Sequence, residues 1–143
     1  MNKSDITKHL AQVVLYDLKG FDSLYFDLKV KYRQLSAQMQ LLGKPIVLVE
    51  AFRTAKRQDE LYNQKNKVTN AKALESNHQY GIAFDVYFLT YGYSPPVDWW
   101  EVLGQQGEKV GLSWGGRWQM KDYPHFEYTG GLDWRELKKE LKL

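Results

Sequence analysis

Residues 76–88, Ser-Asn-His-Gln-Tyr-Gly-Ile-Ala-Phe-Asp-Val-Tyr-Phe, predict a turn followed by a buried strand. Apolar side chains recur at every second position after the turn, so they share one face of the strand. These four side chains are Ile82, Phe84, Val86 and Phe88. Asp85 falls on the opposite face, directed away from the apolar layer. The stretch therefore predicts a strand that carries a carboxylate behind a histidine-bearing turn.

Helical and strand patterns flank this segment on both sides. Apolar residues at steps of three and four predict a helix over residues 24–42 that ends at Gly43. The β-branched run 46–49 is typical of a buried strand, and Thr54 can cap a helix over about residues 55–65. Arg53 therefore stands between a strand and a helix, where site residues often lie.

The second half of the chain continues the same mixture of elements. An Asp98-x-x-Glu101 capping pattern predicts a helix that ends at Gly111. Residues 114–116 predict a turn and residues 123–128 a second strand. The apolar spacing of Trp134, Leu137 and Leu141 predicts a short closing helix.

Composition excludes several classes of protein. The chain has 143 residues with 43% hydrophobic side chains, which predicts a folded globular protein instead of a disordered one. It has no cysteine, so disulfides, thiolate metal sites and a cysteine nucleophile are excluded. Any metal must bind His, Asp or Glu, and the chain contains only three histidines.

Charge and hydropathy suggest no membrane or nucleic-acid partner. The N-terminus lacks the apolar core of a signal peptide, and no run is long enough to span a bilayer. We therefore expect synthesis in the cytoplasm and no stable membrane association. The net charge of +3 and the sequence pI near 8.9 leave nucleic-acid binding as an alternative. No basic stripe or binding motif accompanies them, so we expect no nucleic-acid partner.

Two short segments carry the candidate chemistry. His78 and Asp85 lie in residues 76–85, and His125 lies in residues 122–127. Two imidazoles and one carboxylate form a ligand set that leaves a fourth zinc position open for water, and Asp122 stands beside them as an additional acid.

Spacing alone leaves structural alternatives open for each of these residues. A histidine near a strand is often a hydrogen-bonded structural residue, and Asp122 can be a turn residue before Tyr-Pro. Arg53 can be a surface cation. His9 lies in a polar N-terminal segment and is predicted to be solvated surface.

The order of these residues resembles a known metallopeptidase family. The pattern Ser76-x-His78-x-x-Gly81-x-Ala83-x-Asp85, followed by Asp122-x-x-His125, is similar to that of D-alanyl-D-alanine carboxypeptidases and phage L-alanyl-D-glutamate endopeptidases. The segments 50–54 and 114–118 also fit, and the resemblance runs from Arg53 to Phe126. Arg117 departs from it, since many relatives carry an acidic residue there, which leaves the detail of the substrate cleft open.

The resemblance implies a role for each matching residue. It implies one Zn²⁺ per chain on His78, Asp85 and His125, with Asp122 as the catalytic acid-base. Arg53 and Ser76 would hold the substrate. Arg53 would either stabilise a developing oxyanion or clamp a substrate carboxylate, and the sequence does not choose between these two roles.

We therefore expect an α+β fold with a single catalytic domain over residues 1–143. A small, mainly antiparallel sheet would carry the zinc, with helices packed against it. The expected reaction is hydrolysis of peptidoglycan stem peptides by a monomer, as an L-alanyl-D-glutamate endopeptidase of the endolysin type. Such a protein would reach the cell wall after separate membrane permeabilisation. The alternatives are a D-alanyl-D-alanine carboxypeptidase or dipeptidase and a non-catalytic zinc-containing binding module.

Overall fold

The computed structural model describes residues 2–63, 77–128 and 134–140, which form an α+β fold as predicted. The longer helices and the strands are α1 (Lys3–Leu15), α2 (Phe26–Leu41), β1 (Ile46–Glu50), α3 (Ala55–Tyr62), β2 (Ala83–Phe88), α4 (Trp99–Lys109), β3 (Ser113–Trp114), β4 (His125–Glu127) and α5 (Trp134–Glu140). The four strands form one antiparallel sheet in the order β1-β2-β4-β3. Among the described helices, none combines the length and apolar character needed to cross a bilayer.

One face of the sheet packs against α2 and α4 to form the main core. Phe84 on β2 stacks on its cross-strand partner Phe126 on β4, with ring centroids 5.7 Å apart. Gly104 and Gly107 bring α4 close to the sheet, because a Cβ atom there would overlap Trp114 and Phe126 respectively. Since this face is filled by apolar side chains, the polar residues of β2 and β4 emerge on the other face.

The elements predicted over residues 24–54 and 82–88 are confirmed. The helix predicted over residues 24–42 is α2, and the run 46–49 lies within β1. Thr54 caps α3, since its Oγ1 accepts a hydrogen bond from the Arg57 amide at 3.1 Å. The helix ends at Tyr62, three residues before the predicted end, and residues 64 and 65 lie outside the described part of the chain. The alternation in 82–88 is confirmed by β2, whose apolar residues are fully buried while Asp85 is partly exposed.

Two predictions in the second half need correction. Asp98 does precede α4, but its φ of 74° is left-handed and its side chain makes no capping hydrogen bond. The predicted capping box is therefore wrong, because the left-handed backbone at Asp98 does not have the extended geometry of a capping box. The strand predicted over residues 123–128 is confined to His125–Glu127, since Tyr123 and Pro124 lie in a turn.

The N-terminal segment also differs from expectation. It forms α1, whose Ile6 is fully buried in a second apolar cluster with Ile82 and Leu137. His9 is partly buried, and its Nε2 lies 2.8 Å from the carbonyl oxygen of Ser23. The prediction that His9 is solvated surface is therefore wrong. The apolar residues of α1 recur one helical turn apart and form a face that packs against the rest of the protein. This packing places His9 against the protein surface instead of in solvent.

Candidate metal centre

Three side chains, two from the sheet and one from the turn before β2, direct one ligand atom each toward a common point. Nε2 of His78 lies 3.2 Å from both Nδ1 of His125 and Oδ1 of Asp85, and these last two atoms are 3.1 Å apart. Both imidazoles are buried, whereas Asp85 is partly exposed. The fold thus brings together the three residues predicted to be metal ligands.

The outer nitrogen of each imidazole is occupied by an acceptor. Nδ1 of His78 lies 3.0 Å from the carbonyl oxygen of Ala51, and Nε2 of His125 lies 2.8 Å from Oε1 of Glu127. A ring nitrogen facing such an oxygen must be the N–H donor, so in a neutral ring the other nitrogen carries the lone pair. Two imidazole lone pairs and a carboxylate oxygen consequently face one another.

This donor set fits a small divalent cation. Three lone pairs at 3.1–3.2 Å repel one another unless a positive charge lies among them. Zinc bonds of 2.0–2.1 Å in a tetrahedron place neighbouring ligand atoms about 3.3 Å apart. The separations and the ligand types both match the zinc ion that the family pattern implies.

Electrostatics within the cluster favour positive charge at this point. Burial alone would raise the pKa of Asp85, but the neighbouring imidazoles His78 and His125 hold it well below its usual range. Burial alone would lower the pKa of His125, yet hydrogen bonds and charge from Asp85 and Glu127 raise it to about 9. The carboxylates therefore stabilise a cation, whether a proton or a metal ion.

The end of β1 anchors both the His78 turn and Arg53. The Arg53 amide donates to the carbonyl oxygen of His78 at 3.0 Å. Its guanidinium is buried, where Nε donates to Oε1 of Glu50 at 2.9 Å and Nη1 to Oε1 of Gln58 at 2.8 Å. Nη2 lies 3.7 Å from Oδ2 of Asp85. Arg53 is thus a fixed cation beside the metal centre and not the surface cation of the alternative.

Asp122 lies in the turn that leads into His125. Its backbone amide donates to the Gly115 carbonyl at 2.9 Å, and its carbonyl accepts from the His125 amide at 3.2 Å. Asp122 is exposed, yet neighbouring protein atoms partly desolvate its carboxylate and raise its pKa, although the charge of His125 opposes this effect. Asp122 is thus an acid near the cluster that holds its proton more readily than an ordinary aspartate.

One predicted site residue cannot be placed, and two residues near the metal centre were not predicted. Ser76 lies outside the described residues. Sequence reasoning assigned no role to Glu127, which accepts from His125, or to Asn77, whose Nδ2 donates to Oε2 of Glu127 at 2.8 Å. The available signal was spacing, because Glu127 is two residues from His125 on a strand and therefore shares its face.

Two protein-family models match this chain. A VanY family model described as D-alanyl-D-alanine carboxypeptidase matches residues 23–96. A second model with the same description matches residues 69–128, which include all three candidate ligands. Together the two matches cover residues 23–128, which include Arg53, Asp122 and the three candidate ligands.

Individual relatives agree with the family models. The chain is 34% identical to the peptidoglycan L-alanyl-D-glutamate endopeptidase CwlK of Bacillus subtilis, over 82% of this chain and 80% of that protein. The crystal structure of the L-Ala D-Glu endopeptidase ChiX of Serratia marcescens superposes with a TM-score of 0.60 at 23% identity, covering 90% of this chain and 89% of that one.

A further structure in the same fold contains zinc. It is a mutant of the vancomycin-resistance D,D-pentapeptidase VanY in complex with Zn(II), with a TM-score of 0.60 at 16% identity. It covers 80% of this chain and 83% of that one. With the sequence match to CwlK and the family models, the site geometry leads to one conclusion: this chain belongs to the VanY-type D-alanyl-D-alanine carboxypeptidase family of peptidoglycan peptidases.

Proposed function

We propose that this protein is a zinc peptidase that hydrolyses the L-alanyl-D-glutamate bond of peptidoglycan stem peptides. The observation that carries the proposal is the convergence of His78 Nε2, Asp85 Oδ1 and His125 Nδ1 at 3.1–3.2 Å beside a buried arginine. The choice of bond is supported by the relative at 34% identity, which is named as an endopeptidase of that specificity.

His78, Asp85 and His125 would hold one zinc ion per chain. When bound, zinc supplies Lewis-acid polarisation of a carbonyl group and lowers the pKa of a water molecule. Three protein ligands would leave a coordination position available to water or substrate, as a catalytic rather than a structural site requires. The outer partners Ala51 and Glu127 fix the imidazole tautomers so that a lone pair on each ring faces the ion.

Asp122 would act as the general acid-base. Hydrolysis of a peptide bond requires removal of a proton from the attacking water and delivery of a proton to the leaving amine. A carboxylate with a raised pKa accepts the first proton more readily than an ordinary aspartate does. Its backbone is hydrogen-bonded to Gly115 and His125, which fixes the origin of the side chain relative to a proposed ligand.

Arg53 would bind the substrate. Its Nε and Nη1 are occupied by Glu50 and Gln58, so the Nη2 side is the part of the guanidinium that is directed toward Asp85 and the metal centre. A cation held in this way favours negative charge on a substrate oxygen without reorganising during the reaction. Ser76, from the family pattern, would contribute a second substrate contact.

A D-alanyl-D-alanine carboxypeptidase is the second candidate. It is favoured by the family models, both of which carry that description. The two activities differ in what Arg53 must bind, because a carboxypeptidase recognises a terminal carboxylate whereas an endopeptidase meets an internal peptide. They also release different products.

Digestion of purified peptidoglycan followed by mass spectrometry of the products tests the proposal. The endopeptidase is expected to create new N-terminal D-glutamate or isoglutamine residues, whereas the carboxypeptidase would release D-alanine. The Asp122→Asn protein serves as the control for contaminating hydrolases. Release of D-alanine alone would replace the first candidate with the second, and absence of any new terminus would indicate a non-catalytic zinc module.

A further inference from the structure

A partly buried carboxylate stands behind the metal centre, on the side away from the converging ligand atoms. Glu127 follows His125 by two residues on β4, so both side chains lie on the polar face of the sheet. Its cross-strand partners are Ala83 on β2 and Ser113 on β3. Only 16% of the Glu127 side chain is exposed, so its charge requires partners within the protein.

Each oxygen of Glu127 has a separate partner. Oε1 accepts the Nε2–H of His125 at 2.8 Å, and Oε2 accepts from Nδ2 of Asn77 at 2.8 Å. The two hydrogen bonds hold the carboxylate from opposite ends, which fixes its rotamer. Glu127 can therefore hold the His125 ring in one orientation.

Asn77 extends this connection to the C-terminal helix. Its Oδ1 accepts from the backbone amide of Trp134 at 2.8 Å. Trp134 is the first residue of α5, and an amide at that position has no partner within its own helix. The path His125–Glu127–Asn77–Trp134 thus joins a candidate metal ligand to α5 through three hydrogen bonds. Both family models end before α5, at residues 96 and 128.

The tautomer of His125 gives this path its chemical importance. His78 presents Nε2 to the common point, whereas His125 presents Nδ1. A neutral imidazole can carry its proton on either ring nitrogen, but a nitrogen that binds a metal must carry the lone pair. An acceptor beside the outer nitrogen holds the proton there and leaves the inner nitrogen free. For His125 that acceptor is Glu127.

We propose that Glu127 and Asn77 are positioning residues that couple the N-terminus of α5 to the zinc ligand His125. The inference rests on the zinc site of the proposed function. Loss of an outer-shell partner of this kind typically weakens metal binding by about 10–100-fold. The coupling makes α5 part of the metal centre, although none of its residues is a ligand.

Exchange of the carboxylate at Glu127 with the amide at Asn77 provides a specific test. Glu127→Gln places an amide NH₂ against that of Asn77, and Asn77→Asp places two carboxylates together, so each single variant is expected to bind zinc more weakly. The double variant restores complementarity, because the introduced glutamine accepts from His125 and donates to the introduced aspartate. That aspartate can still accept from the Trp134 amide. The double variant should bind zinc more tightly than either single variant.

Zinc affinity is measured by competition with a chromophoric chelator for the full chain, the three variants and Glu127→Ala. Thermal unfolding of the metal-free proteins checks that each variant folds. The Nε2–H signal of His125 in the ¹H–¹⁵N spectrum of the zinc-loaded protein reports the tautomer and is expected to be lost or shifted in Glu127→Ala. Glu60→Gln changes an exposed glutamate of α3 that pairs only loosely with Arg57, at 3.9 Å, and is the matched control.

The outcomes separate this inference from the proposed site. Wild-type zinc affinity in a folded Glu127→Ala protein would overturn the role of Glu127. A double variant weaker than both single variants would overturn the link to Asn77. If the wild-type protein binds no zinc, or His125→Ala retains it, the metal site itself fails and this inference fails with it.

Discussion

Asp85 and His125 are direct cross-strand partners in the β2–β4 pair, and Oδ1 of Asp85 lies 3.1 Å from Nδ1 of His125. Backbone hydrogen bonds of the sheet therefore set the spacing between these two candidate ligands. His78 comes from the preceding turn, which is fixed instead by hydrogen bonds to Ala51 and Arg53 at the end of β1. The metal centre thus depends on one strand pair and on one turn held by a neighbouring strand.

Removal of a ligand should remove zinc. We expect His78→Ala and His125→Ala to lose stoichiometric metal, because two ligands seldom hold zinc at a site built for three. Asp85→Asn should bind zinc more weakly than wild type, since a neutral amide oxygen replaces an anionic one. Metal analysis after desalting measures the zinc content. Full retention of zinc by both histidine variants would show that the ligand assignment is wrong.

Asp122→Asn should separate catalysis from metal binding. The amide cannot accept a proton, so hydrolysis of peptidoglycan is expected to fall by ~10²–10⁴-fold while zinc content and fold are preserved. Zinc content and cleavage rate are measured on the same preparation. A fully active variant, or one that is inactive only because it has lost zinc, would contradict the assigned role.

Arg53→Lys should be much more damaging than its retained charge suggests. A lysine ammonium cannot reproduce the planar fork that bonds Glu50 and Gln58 while a third nitrogen lies near Asp85. We expect zinc to be retained and the cleavage rate to fall at least about tenfold, a loss of about 1.4 kcal/mol of transition-state stabilisation. Arg57→Lys, on the exposed surface of α3, is the control and should cleave at the wild-type rate. Near-normal turnover by Arg53→Lys would remove Arg53 from the site.

Gly115→Ala should disturb the metal centre by displacing the turn that leads into His125. A Cβ atom at Gly115 would overlap the carbonyl oxygen of Asp122 and lie 3.1 Å from its Cβ atom, so the turn that leads into His125 must move. We expect lower zinc affinity and slower cleavage, measured by chelator competition and product release. Gln105→Ala, at an exposed position on α4, is the control. Unchanged zinc affinity in Gly115→Ala would show that the turn can shift without displacing His125.

His9 should contribute to the pH dependence of stability. Burial lowers its pKa below the ordinary value of 6.5, although the hydrogen bond to Ser23 opposes this effect. The unfolded chain therefore binds more protons between the two pKa values, so this contribution to the free energy of unfolding decreases as the pH falls below 6.5.

Replacement of His9 tests this sign. Between about pH 7 and pH 5, metal-free His9→Gln should lose less stability than the wild-type protein, as measured by denaturant unfolding. Comparison of the two proteins cancels the contributions of His78 and His125. Equal losses would show that His9 titrates alike in the folded and unfolded chains.

The periodicity of apolar residues, every second position in strands and every third or fourth in helices, made much of the fold and site predictable from sequence. The alternation in residues 82–88 places Asp85 opposite the apolar face whatever it packs against, and the spacing in 24–42 predicts α2 for the same reason. Local signals were weaker where backbone conformation decided the outcome. The Asp98-x-x-Glu101 pattern failed because it assumes an extended cap residue, whereas Asp98 adopts a left-handed conformation.

By itself, the sequence determined which residue types were available and which of them shared a face. With no cysteine and three histidines, it restricted a metal to imidazole and carboxylate ligands, and the order of His78, Asp85 and His125 indicated the family. Tertiary structure alone decided that these three meet within 3.2 Å, that His9 packs against Ser23, and that Glu127 and Asn77 connect His125 to α5. The physical reason is that these contacts depend on strand pairing and helix docking between residues up to 57 positions apart, whereas periodicity reports only neighbours within one element.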